Sequence, residues 1–278
     1  HSYCTFDPAN FDAYGVNTFQ MGMPLQLLDG TYYTLLEILN YQQPSTVVLD
    51  LYWYVLEMDF DAQQMDMFFE VLQNEELKKR YIDEVLPLNE KIKFNLKPVR
   101  YQADFFAFAN EKLLNVIAYR LGLKRTFTHN PGEEYYKGRG YVYYDYLMAE
   151  SQYAEVSTQP YTDMRDWDFN PKQEKYLGKI ADMCEERGIR LILTTAPVSN
   201  VQFGRMLNYE DFHGRVAEFA AERGLPYLDF NLVNQEQGLF DDESFFDAGH
   251  LNDRGVKIAD GYFMDWLMKN GGKTAEKT

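Results

Sequence analysis

The chain has 278 residues, a length that fits one large α/β domain or one domain with a sizeable insertion. Its formal net charge of −16 disfavours binding to nucleic-acid phosphates and to anionic membrane surfaces, and it contains no run of about 18 apolar residues that would span a bilayer. Two cysteines, Cys4 and Cys184, give neither a disulfide framework nor a metal-ligand spacing, and an aromatic content of 16% suits a large core or a groove that stacks sugar rings.

In chain order, Gly15 to Gly22 reads as a short buried strand followed by a glycine turn. Leu27 to Leu39 carries apolar residues at helical spacing, and Val47 to Leu51 is an apolar, β-branched run suited to a buried parallel strand. Residues 60–150 break this alternation and read as a mostly helical insertion, with helices over Glu75–Leu86 and Asp104–Leu121. Asn130-Pro131-Gly132 is a turn, and Gly138-Arg139-Gly140 leads into a tyrosine-rich stretch that alternates as an exposed strand would. Its tyrosines would line a sugar groove or pack the insertion. Residues 151–170 read as a polar loop.

From 171 the alternation resumes. Pro171–Arg187 is an amphipathic helix, Ile189–Thr195 a strand ended by Pro197, and Tyr209–Arg223 a second helix. Pro226–Phe230 is a strand, Arg254–Lys269 the last helix, and 271–278 a polar, disordered tail. Strands alternating with helices of this length predict a three-layer α/β/α domain over 1–270, with a central parallel sheet and the 60–150 insertion.

The stretch Phe245-Phe246-Asp247-Ala248-Gly249-His250-Leu251-Asn252-Asp253-Arg254-Gly255 carries the chemistry. An aspartate three residues before a histidine, on the loop entering the final helix, can orient the imidazole through Nδ1–H. The other ring nitrogen can then take a proton from a nucleophile. Asn252 or Asp253 would cap the helix. His129 and His213 read as solvated surface residues, and Asp241, Asp242 and Glu243 as a solvated acidic run. Asp59, Asp61 and Asp66 match no metal-ligand loop, and no cofactor motif is present.

Asp247-x-x-His250 followed by Leu251-Asn252-x-x-Gly255 resembles the last block of the SGNH (GDSL-type) hydrolase superfamily. More narrowly, it is similar to the branch of alginate-type O-acetyltransferases and the D-alanyl-transfer protein of teichoic-acid operons. His1 to Pro8 resembles the continuation of the first block of that branch, Gly22 the second block and Val47–Leu51 the third. The resemblance implies a flavodoxin-like SGNH fold, a Ser-His-Asp site with His250 as base and Asp247 as its orienter, and Gly22 as an oxyanion donor. It places the nucleophilic serine immediately before His1, which leaves Ser2 as the nearest serine in the chain. The third block departs from the pattern, because Asp50 to Tyr54 contains no asparagine to donate to an oxyanion.

The resemblance implies an esterase or O-acyltransferase acting on a polysaccharide or other acyl ester. The alternative is a non-catalytic module of the same fold that binds a glycan or a partner in a membrane complex. A start at His1, close to what reads as a strand end, predicts that an upstream signal peptide or anchor has been removed and that the protein is extracytoplasmic.

Overall fold

A computed structural model describes residues 2–61, 65, 68–69, 72–95, 121 and 135–270, with Ser2 and Tyr135 described by backbone alone. The expected helix over 104–120, the turn at 130–132, His129, Asp66 and the 271–278 tail lie outside the described residues. The chain divides into two compact units. One comprises 1–66 with 131–278, and the other Met67–Asn130.

The larger unit is mixed α/β. Its sheet has three strands, β1 (Thr46–Asp50), β5 (Arg190–Thr195) and β7 (Tyr227–Asp229), in the order β1-β5-β7. Both pairings are parallel, with Val48 opposite Ile192 and Leu193 opposite Tyr227. The apolar run Leu191–Leu193 is buried throughout, as a strand covered on both faces requires.

Long helices supply the cover. Helix α2 (Leu28–Ile38), α7 (Pro171–Glu186), α9 (Tyr209–Glu222) and α11 (Asp253–Lys269) match the periodicities predicted from sequence to within two residues at each end. Shorter helices α1 (Pro8–Phe11), α3 (Trp53–Glu57), α8 (Asn200–Phe203) and α10 (Phe230–Gln237) lie in the connections. Asn170 caps α7 by accepting the Lys172 N–H at 2.9 Å, with Pro171 in the first turn. Helix α7 packs on β5 and on α2. Gln173, fully buried, ties them together. Its Oε1 accepts the Leu28 N–H at 2.9 Å, and its Nε2 donates to the Met58 carbonyl at 2.8 Å. From α11, Val256, Ala259, Phe263 and Met264 join Ile192, Leu228 and Phe230 in one apolar cluster.

Three readings of the larger unit differ from expectation. Residues 16–22 form no strand. Their N–H groups are taken elsewhere: Val16 donates to the Phe11 carbonyl, Gln20 to the Arg139 carbonyl, and Met21 and Gly22 to the Gln20 side chain. Residues 151–170 are not a continuous loop, because α6 (Glu150–Thr158) and the short strand β4 (Thr162–Asp163) lie within them, β4 pairing with β6 (Met206–Leu207). The tyrosine-rich stretch is an antiparallel pair, β2 (Tyr135–Gly138) with β3 (Tyr141–Tyr143), and it is not an exposed array. Tyr141 and Tyr144 are buried, whereas Tyr136 is exposed. Gly140, at φ +80°, lets the turn lie against the chain: a Cβ there would stand 1.8 Å from the Gln20 carbonyl oxygen.

The smaller unit contains α4 (Glu75–Val85), capped by Asn74, and α5 (Leu88–Asn95). Phe68 and Tyr81 pack at 4.7 Å between ring centroids, and Phe69 stacks on Phe94 at 4.4 Å.

A buried polar clamp joins the start of the chain to α11. Asp260 accepts the Asp7 N–H at 3.2 Å and the Asn10 side-chain N–H at 2.7 Å, while Lys137 holds Asp7 at 2.7 Å. Burial pushes the Asp260 carboxyl up to about 8, against the pull of its hydrogen-bond donors. The folded state thus keeps a proton that the unfolded chain releases near its ordinary value of about 4. Its stabilising effect is full below that pH and is lost as the pH rises through about 8. Asp260→Asn is expected to flatten this pH dependence and to melt above the wild type at pH 9. Thermal melts of both proteins from pH 5 to 9 check it.

Candidate active site

The loop before α11 is built locally. Asn252 caps the helix, its Oδ1 accepting the Arg254 and Gly255 N–H groups at 3.1 Å each. Its Nδ2 donates to the Glu243 carbonyl at 2.9 Å. Gly255 is required by close approach, since a Cβ would meet the Ser244 carbonyl oxygen at 2.2 Å and Leu251 Cδ2 at 2.6 Å. Within the loop the Phe246 N–H donates to the His250 carbonyl at 3.1 Å, which closes the turn.

Inside this turn both oxygens of Asp247 lie 2.9 Å from His250 Nδ1. The Gly249 N–H also donates to Asp247 Oδ1, at 2.8 Å, which fixes the carboxylate. An ionised Asp247 takes Nδ1–H as the donor and leaves Nε2 as the basic nitrogen of the ring. Phe246 stacks on the imidazole at 5.5 Å and 12°, and Tyr144 stacks on Phe246 at 3.7 Å. His250 and Asp247 are both partly exposed, so solutes can reach them.

Long-range contacts hold this turn at the carboxyl edge of the sheet. Ser199, buried in the turn after β5, donates to the Ala248 carbonyl through both its N–H and its hydroxyl at 2.9 Å. At the end of β1, Asp50 accepts the Ala196 N–H at 2.8 Å. Burial raises the Asp50 carboxyl, against the lowering pull of the Ala196 N–H it accepts. The Tyr3 ring lies 6.4 Å from the His250 ring, so the start of the chain meets the last loop here. Ser2 opens the turn Ser2–Cys4 that carries Tyr3. The side chain of Ser2 lies outside the described structure. Cys4 is buried beside Tyr144 and Phe246, and burial pushes its thiol up to about 12. It stays protonated at neutral pH, and a thiol in that state is a poor nucleophile.

A cavity of about 1030 Å³ opens beside His250 and is also lined by Tyr3, Gly22, Asp50 and Tyr52. Gly22 therefore shares a cavity with His250, but its N–H donates to Gln20 Oε1 at 3.1 Å. Asp50 and Tyr52, from the stretch that the resemblance aligns with the third block, thus line the same cavity as His250. Burial raises the Tyr52 hydroxyl, and the Asp247 and Asp50 carboxylates add to the shift.

His213 is not a merely solvated residue. Its Nδ1 lies 2.9 Å from Asp229 Oδ2, and the same carboxylate accepts the Tyr209 hydroxyl at 3.1 Å. Asp229 also caps α10 through the Asn231 N–H, and this second His-Asp pair does not line the cavity beside His250. Among the described residues, no group of three His, Cys, Asp or Glu side chains could hold a metal ion. None of the helices among them is long and apolar enough to cross a membrane. Compared with known proteins, the chain matches no family model and no curated sequence.

Proposed function

We propose that this chain is an SGNH-like ester hydrolase or O-acyltransferase with a three-layer α/β/α fold. His250 is its base and Asp247 the carboxylate that orients it. The observation that carries the reading is the Asp247–His250 pair, held at the carboxyl edge of a parallel sheet beside Tyr3. The resemblance places the nucleophilic serine immediately before His1, and Ser2 is the nearest serine in this sequence.

In the reaction, the serine hydroxyl gives its proton to His250 Nε2 and attacks the acyl carbonyl. The alkoxide of the ester leaves with that proton, forming an acyl-enzyme. Water or a sugar hydroxyl then takes the acyl group by the reverse proton path. The substrate class, O-acyl groups on envelope or exported polysaccharide, and the extracytoplasmic setting rest on the resemblance of the loop motif. Acetate release from an O-acetylated glycan, and turnover of p-nitrophenyl acetate, are the expected results. Absence of both, with retained binding to the glycan, supports the second reading.

That second reading is a non-catalytic glycan- or partner-binding module. Two observations favour it: the Gly22 N–H is occupied by Gln20, and the stretch Asp50 to Tyr54, where the resemblance expects an oxyanion-donating asparagine, contains none. Loss of one such donor typically costs about 3 kcal/mol of transition-state stabilisation.

A further inference from the structure

The site has a base and its orienting carboxylate, but the Gly22 N–H is taken and no asparagine stands between Asp50 and Tyr54. The end of β1 offers another donor. Leu51 donates its N–H to the Thr194 carbonyl at 2.7 Å and, like Trp53, is buried in the core. Tyr52 has extended backbone, at φ −115° and ψ 121°, so its side chain projects to the opposite face from that of Leu51. It is half-buried and lines the cavity that His250, Asp50 and Tyr3 also line.

Tyr52 is fixed from both sides. Asp50, two residues earlier, is tied to the turn after β5 through the Ala196 N–H at 2.8 Å. Helix α3 follows: the Tyr52 carbonyl accepts the Val55 N–H at 3.0 Å, and Trp53 packs edge-on against Tyr209 and Phe212 of α9 at 6.3 and 6.0 Å. The Tyr52 ring lies 3.9 Å from that of Trp53. Tyr54, by contrast, lines the same cavity but is 52% exposed. Burial and the Asp247 and Asp50 carboxylates hold the proton on the Tyr52 hydroxyl, which therefore has a hydrogen to donate at neutral pH. We infer, on the ester-cleaving reading above, that the Tyr52 hydroxyl is the oxyanion donor of this site. As the serine oxygen bonds to the acyl carbon, the carbonyl π pair moves onto its oxygen, and the Tyr52 O–H donates a hydrogen bond to it. The serine proton goes to His250 Nε2. Collapse re-forms the carbonyl and breaks the bond to the alcohol, which leaves with that proton. Tyr52 keeps its own proton throughout.

Tyr52→Phe removes the hydroxyl and keeps the ring beside Trp53. In the natural protein it should lower kcat for p-nitrophenyl acetate by about 10²–10³-fold, the usual effect of one oxyanion donor. KM should stay within about threefold, because the bond forms only in the transition state, and the melting temperature within about two degrees. Fluorophosphonate labelling of the wild type and of His250→Ala, run alongside, tests the serine and its base independently of Tyr52. Suppose the wild type is labelled and His250→Ala is not. A Tyr52→Phe kcat within about threefold of the wild type then overturns the Tyr52 assignment and leaves the serine and His250 in place. A loss carried by KM, or one matched by a lower melting temperature, also overturns it, since the ring's surroundings are then at fault. No labelled serine in the folded wild type removes the ester-cleaving reading itself, and Tyr52 with it.

Discussion

Replacing His250 with alanine is expected to lower kcat/KM for p-nitrophenyl acetate by about 10²–10⁴-fold, the usual contribution of a positioned base. That corresponds to roughly 3–5 kcal/mol of transition-state stabilisation. Asp247→Asn should fall in the same range. The amide can still accept from the Gly249 N–H and from Nδ1–H, but it carries no charge to stabilise the imidazolium that forms as the serine loses its proton. Both side chains are partly exposed, so neither variant should shift the melting temperature by more than a degree or two. Steady-state kinetics alongside thermal melts separate the two effects. Activity equal to the wild type in both variants would remove His250 from the reaction.

Gly255→Ala is expected to have the largest effect on stability. Its Cβ would be forced to 2.2 Å from the Ser244 carbonyl oxygen, and that backbone cannot easily move. Ser244 donates its N–H to Asp241 and its hydroxyl to the same residue's carboxylate, while its carbonyl accepts the Asn252 N–H at 3.0 Å. Relieving the overlap must displace the loop or the first turn of α11, at a cost of roughly 1–3 kcal/mol or more. At about 2–4 °C per kcal/mol, the melting temperature should drop by several degrees. The same displacement moves Asn252 and the His250 turn, so esterase activity should fall with stability. A melt unchanged from the wild type would mean that the loop accommodates the methyl group freely.

The legible parts of this molecule are the local ones. Helices α2, α7, α9 and α11 follow from apolar spacing and terminal glycines, because a helix is stabilised by neighbours three and four residues apart. The Asp247–His250 pair is readable for the same reason: both partners sit in one turn, three residues apart. Asn252 and Asp253 are both readable as caps from their place before an apolar run, and the fold uses Asn252.

The illegible parts depend on distant partners. Ser199 holds the His250 loop through Ala248, 49 residues away, and Asp50 meets Ala196 across 146 residues. His213 reads as a solvated residue because Asp229, its partner, comes from the next strand. The segment 16–22 carries a strand-like pattern, yet the β2–β3 turn and Gln20 take the N–H groups that a ladder would need. Tyr141 and Tyr144 belong to a tyrosine-rich stretch patterned like an exposed strand, and only tertiary packing buries them.

Reaction with a fluorophosphonate probe, followed by peptide mapping, tests the central claim most directly. In the natural protein, a serine directly preceding His1 or Ser2 itself should be labelled, and at least a hundredfold more slowly in His250→Ala, since the probe reports a hydroxyl activated by this imidazole. Labelling at the same rate in both proteins, or no labelled serine in an intact, folded wild type, would contradict it.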